Sequence, residues 1–137
     1  MKKLALLLAI SLGMAGLVAT TGSATASPYP GTVTTRIARV VMPSVLKRGH
    51  RLNVKVRVAT SGNATPVGNV VVTVKRVSGH PQRVIRTAIA RTKGGSAVLH
   101  LGKIMRVAKY KVTIRFFAKS GTVYKDSSTT RSLRVTR

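Results

Sequence analysis

The chain has no cysteine and no tryptophan, and its 137 residues contain a single acidic side chain, Asp126. Each of these gaps removes a class of chemistry. Without cysteine there can be no disulfide, thiolate metal ligand or cysteine nucleophile. The fold must then hold together by its apolar core alone. With one carboxylate, the paired acids that most glycosidases use cannot be assembled. An oxygen-rich calcium site is poorly supplied for the same reason. Aromatics make up only 4% of the residues, which leaves few rings for stacking on nucleic-acid bases.

What is present is positive charge. Lys and Arg number 25, for a formal net charge of +24. A surface of that kind attracts polyanions and repels itself.

The first residues have the layout of a secretory signal. Lys2 and Lys3 precede an apolar run from Leu4 to Val18, and small residues follow as far as Ser27. Ala24-Thr25-Ala26 satisfies the small-x-small rule, which places cleavage after Ala26. The run is shorter than the roughly 20 residues a membrane-spanning helix requires. Residues 1–26 are therefore expected to be a signal peptide, 27–31 a short Pro/Gly leader, and 32–137 one domain. The expected location is secreted, extracellular or in the cell wall.

From about position 33 onward, apolar residues recur with period two. Leu52, Val54, Val56 and Val58 alternate with Arg51, Asn53, Lys55 and Arg57. Tyr110, Val112, Ile114 and Phe116 alternate with Lys109, Lys111, Thr113 and Arg115. Both stretches read as strands with one face buried and one in water. Further strands are expected over Val33–Val41, around Val70, Val72 and Val74, around Ile85, Thr87 and Ile89 with Arg86 outward, around Ala97, Leu99 and Leu101, and at Leu133 and Val135. Turn residues separate them, at Arg48-Gly49, Gly62 to Gly68, Gly79 to Pro81, Gly94-Gly95 and Ser120-Gly121. The connection from Gly102 to Ala108 has room for one helical turn. Seven strands at this spacing predict an all-β antiparallel sandwich or barrel.

Three segments carry a family resemblance. The first is Pro43-Ser44-Val45-Leu46-Lys47-Arg48-Gly49, leading into the strand from Leu52. The second is Pro66-Val67-Gly68-Asn69-Val70-Val71-Val72. The third runs from Leu101 through Ile104 to Tyr110-Lys111-Val112-Thr113-Ile114, and on to Gly121, Tyr124 and Ser127-Ser128. Together these resemble a bacterial immunoglobulin-like domain of actinobacterial exported and surface proteins. The resemblance implies an immunoglobulin-like sandwich over nearly all of residues 32–137, with Tyr110 in the place of the tyrosine corner. The chain departs from that pattern at Ala108, where the family commonly has glycine, and in its scarcity of acids.

No catalytic or metal constellation stands out. His50, His80 and His100 lack the close spacing of a zinc motif. A serine, a histidine and Asp126 could be combined on paper into a triad, but no G-x-S-x-G element supports one. No phosphate-cradling P-loop string occurs. No catalytic residue, metal or cofactor is expected, and no small-molecule substrate is inferred. The candidate polyanion-contacting residues are Arg51, Lys55 and Arg57 on one strand and Lys109, Lys111 and Arg115 on another. The leading expectation is an exported, non-catalytic structural or adhesive module held to anionic cell-envelope polymers. One alternative is a secreted protein acting on nucleic acid or anionic membranes. Another is a hydrolase with an unfamiliar site.

Overall fold

The computed structural model describes residues 33–78 and 83–137. The signal segment, the leader and His80 lie outside the described residues. Eight strands follow one another: β1 (Thr35–Val41), β2 (Val45–Lys47), β3 (Arg51–Thr60), β4 (Gly68–Arg76), β5 (Val84–Arg91), β6 (Ser96–Lys103), β7 (Ala108–Ala118) and β8 (Ser127–Thr136). They form two sheets, a three-stranded one in the order β1-β3-β6 and a five-stranded one in the order β2-β8-β7-β4-β5. All pairings are antiparallel except β2 with β8.

The alternation of β3 and β7 determines how the sheets face each other. Leu52, Val54, Val56 and Val58 turn inward from β3, and Tyr110, Val112, Ile114 and Phe116 turn inward from β7. Val70, Val72 and Val74 of β4, Leu99 and Leu101 of β6, and Leu133 and Val135 of β8 complete the same core. Fully burying each such side chain stabilises the fold by about 1.5–3 kcal/mol. Ile104 seals one end of this core from the β6–β7 connection. Its carbonyl accepts from Gly49 N–H at 2.8 Å and its N–H donates to the His50 carbonyl at 3.3 Å, tying two connections together.

Three local expectations change. The segment at Val45–Lys47 is a strand of its own, too short to show periodicity. The β6–β7 connection contains a bend at Arg106 and no helical turn. The phase of β5 is reversed along most of its length. Ala88 and Ala90 pack against the core, while Thr87 is exposed and Ile89 is 69% exposed. The cause lies in the register. Val74 pairs with Arg86 but Lys75 pairs with Val84, a shift that leaves Ile85 half-buried against the core. Arg86 therefore stands opposite the buried Val74, in the inward-facing register. It is also exposed, because β5 is the edge of its sheet.

Candidate functional site

The cations of β3 and β7 lie on opposite sheets, as their alternation requires. Arg51, Lys55 and Arg57 are exposed on the outer face of the three-stranded sheet. Lys109, Lys111 and Arg115 are exposed on the outer face of the five-stranded sheet. Neighbouring strands add to both groups in register. Arg39 stands directly opposite Arg57, and Arg51 opposite Lys103. On the other face Lys75 stands opposite Lys111, and Lys109 opposite Arg134. Like charges directly opposite each other across a ladder destabilise it, so each of these four pairs favours a bound anion or counterion between the two cations. Arg115 also covers the exposed Phe117 ring, with its guanidinium carbon 5.0 Å from the ring centroid.

A neutral stripe divides the five-stranded face. Thr130, Thr113, Thr73 and Thr87 align across β8, β7, β4 and β5. Lys75, Lys111, Lys109 and Arg134 lie on one side of it, and Arg115 and Arg91 on the other. The one acid is remote from the first group. Asp126 accepts a hydrogen bond from Ala118 N–H at 2.8 Å, at the far end of β7.

Tyr110 anchors the opposite end. It is 2% exposed, and its hydroxyl donates to the Arg106 carbonyl at 2.8 Å, four residues upstream. That contact ties the start of β7 back to the β6–β7 connection. Burial pushes the Tyr110 hydroxyl above its ordinary value of 10.0, and the positive charges of Arg76 and Arg106 pull it partly back. Both arginines line a cavity of about 520 Å³ beside Tyr110, together with Arg83, Arg86 and Lys103. Sequence reading missed this convergence, because the five cations come from separate segments at the ends of β4, β5 and β6. The nearest signal was their clustering at positions 76, 83, 86, 103 and 106, where strands begin or end.

The two described histidines lie on different elements. His50 is exposed in the β2–β3 turn, and His100 is exposed on β6 with Nδ1 2.8 Å from Asn53 Oδ1. Among the described residues no three His, Cys, Asp or Glu converge. With no cysteine and one carboxylate in the sequence, the side chains fit a resident metal poorly.

No family model and no curated protein matches the chain. Solved structures do match its shape. A superoxide reductase (neelaredoxin) from Ignicoccus hospitalis superposes with a TM-score of 0.50 at 10% identity, covering 75% of this chain and 80% of that one. Two variants of the same protein give TM-scores of 0.51 and 0.52 at 11% identity, covering 75% and 77% of this chain and 80% and 82% of theirs. These matches overturn the expectation of a non-catalytic structural or adhesive module, and with it the exclusion of enzyme activity. A sandwich of this shape is used by proteins named for a redox reaction, so the fold is no ground for denying catalysis. At 10–11% identity the likeness shows the fold alone.

Proposed function

We propose that this chain binds anionic polymers outside the cytoplasm through the two cationic faces of an immunoglobulin-like sandwich. The observation that carries the reading is the set of four directly opposed cation pairs, two on each outer face. A chain with one acid cannot answer that charge internally, and phosphate- or sulfate-bearing polymers supply the missing counter-charge. Wall polymers, nucleic acid and anionic membranes all present such groups. Because the cations coat two opposite faces, attraction by charge density is favoured over readout of a sequence. Polyanion binding is compatible with catalysis elsewhere on the sandwich.

The strand order supports the immunoglobulin-like reading. If β1, β3 and β6 correspond to strands A, B and E, and β8, β7 and β4 to G, F and C, the two sheets follow the immunoglobulin pairing. β5 then adds to the GFC sheet, as C′ does in variable-type domains. The corner tyrosine falls at the start of F, where that fold places it. Export is supported by the charge, apolar run and small-residue order of residues 1–26.

The test is retention of the protein on immobilised heparin, duplex DNA and polyphosphate in a salt series. Comparable retention on all three is expected, with affinity falling by orders of magnitude between roughly 50 and 200 mM salt. Failure to bind any of them at the low-salt end would overturn the reading. Soluble polyphosphate should also raise the melting temperature, because it binds the folded arrangement of charges in preference to the unfolded chain.

A further inference from the structure

The cavity beside Tyr110 differs in kind from the outer faces. On the faces the cations stand in rows that project into water, where charge is strongly screened. At the cavity Arg76, Arg83, Arg86, Lys103 and Arg106, all exposed except the half-buried Arg76, line one concave space of about 520 Å³. Volumes of a few hundred Å³ are those of small-ligand sites. Its inner wall is apolar, formed by the buried Ile104 and Tyr110 and the half-buried Ile85. An ion held against such a wall interacts more strongly with neighbouring charges than one in bulk water.

Arg86 is the best-placed of the five. Its inward register carries it across the seam between the sheets. Two long hydrogen bonds orient its guanidinium, from Nη1 to the Ile85 carbonyl at 3.3 Å and from Nη2 to the Lys103 carbonyl at 3.4 Å. A guanidinium has five N–H donors, so this fork is held in place with donors to spare. No acidic side chain competes for them. Asp126 bonds Ala118, eight residues along β7 from Tyr110 and so roughly 26 Å away at strand rise.

We propose that this cavity is a discrete site for a diphosphate group, two linked phosphates clamped between Arg86 and the arginines at positions 76, 83 and 106. Four arginines lining one space can supply forked, bidentate oxyanion contacts, and their summed charge suits a multivalent anion better than a single phosphate. The group could be presented by a nucleoside diphosphate or by a short polyphosphate, and the chemistry recognised is the same. Of the cations lining the cavity only Lys103, opposite Arg51, also belongs to an outer-face pair.

The experiment is calorimetric titration of the full chain with inorganic pyrophosphate at physiological salt. One saturable site per chain is expected, with orthophosphate binding at least about tenfold more weakly. Arg86→Gln and Arg76→Gln should each weaken pyrophosphate by about tenfold or more. Arg86→Lys, which keeps the charge and loses the fork, should fall between wild type and Arg86→Gln. Arg57→Gln and Lys111→Gln, on the outer faces, should leave the site unchanged. A nucleoside diphosphate and a short polyphosphate should both displace pyrophosphate. Should Arg86→Gln fail to fold by circular dichroism, Arg106→Gln, at an exposed side chain, carries the same expectation. Equal weakening by cavity and outer-face variants would overturn the site while leaving polymer binding standing, as would orthophosphate binding as tightly as pyrophosphate. Saturable pyrophosphate binding by a protein that heparin and DNA fail to retain would support the site and sink the polymer reading alone.

Discussion

The two ends of β7 lie in the same sheet, share one core and have opposite characters. At the Ala118 end the chain answers its own polar groups. Gly68 N–H donates to the Thr92 hydroxyl at 3.1 Å, and the Thr92 N–H donates to the Gly68 carbonyl at 2.9 Å. The Thr92 hydroxyl lies 3.2 Å from both the Pro66 and the Gly68 carbonyls. Asp126 holds the Ala118 N–H. At the Tyr110 end the Tyr110 hydroxyl donates to the Arg106 carbonyl and Val77 N–H donates to the Lys109 carbonyl, and around them stand cations with no acid among them. The first end is finished by the polypeptide. The second leaves its charges to solvent or to a ligand, so stability should be lost by disturbing the first and adjusted by salt or anions at the second.

The largest effect should come from Gly68→Ala. A Cβ there would meet the Phe117 carbonyl oxygen and come within 2.7 Å of the Phe116 ring. Backbone and a buried ring cannot both yield without disturbing the β4–β7 pairing, so a loss of about 3 kcal/mol is expected in urea unfolding. Gly62→Ala is the control, since nothing lies within 4 Å of the added carbon, and its midpoint should stay close to wild type. Thr92→Val comes next. It keeps the shape but removes the hydroxyl that accepts from Gly68 N–H, leaving a buried donor unanswered at a cost of about 1–3 kcal/mol. If Thr92→Val were neutral, the finished character of this end would rest on packing alone.

Tyr110→Phe makes the corresponding cut at the other end and should cost about 1 kcal/mol at neutral pH. Its pH dependence sharpens the contrast. The folded state raises the hydroxyl's pKa above 10.0, so the unfolded chain releases that proton first as pH rises. Stability from the protonated hydroxyl is therefore complete below pH 10 and is lost as pH climbs through the raised folded value. The gap between wild type and Tyr110→Phe, which cancels the titration of the lysines common to both, should narrow above pH 10. A gap that held constant into strong alkali would mean the hydroxyl is not protected by its burial.

The ends also differ in how far they could be read from sequence. The strands β3 and β7 were legible because large apolar residues alternate strictly with polar, mostly cationic ones over seven positions, and a slip of one residue would bury charge. β5 misled because Ile85, Thr87 and Ile89 imitate the same alternation. At a sheet edge the inner positions next to the core are filled by Ala88 and Ala90, and the register shift at Val74/Lys75 turns Arg86 toward the seam. An isoleucine at an edge can remain in water, so its spacing carries less information than a valine's in a central strand. The burial of Tyr110 was legible through its phase in β7. The cavity was not, because Arg76, Arg86 and Arg106 come together only through the pairing of β4 with β5 and the return of the β6–β7 connection. Neither relation has a local sequence period.

The smallest effect should come from relieving repulsion next to the open end. Lys75 stands directly opposite Lys111, one step from Tyr110, and neither has an acidic neighbour in register. Lys75→Thr removes that opposition and places a β-branched residue beside Thr73, which suits a strand. Stability should rise by about 0.2–1 kcal/mol at low salt. The gain should shrink as salt screens the pair in wild type and should shrink likewise when polyphosphate is added, since both supply the counter-charge the pair lacks. Thr113→Val, in the neutral stripe one row away, should show no such dependence on salt. If Lys75→Thr were destabilising at every salt concentration, the lysine's aliphatic stem would be contributing more by packing than its charge takes away, and the contrast between a finished end and a charge-strained end would have to be drawn from the cavity arginines alone.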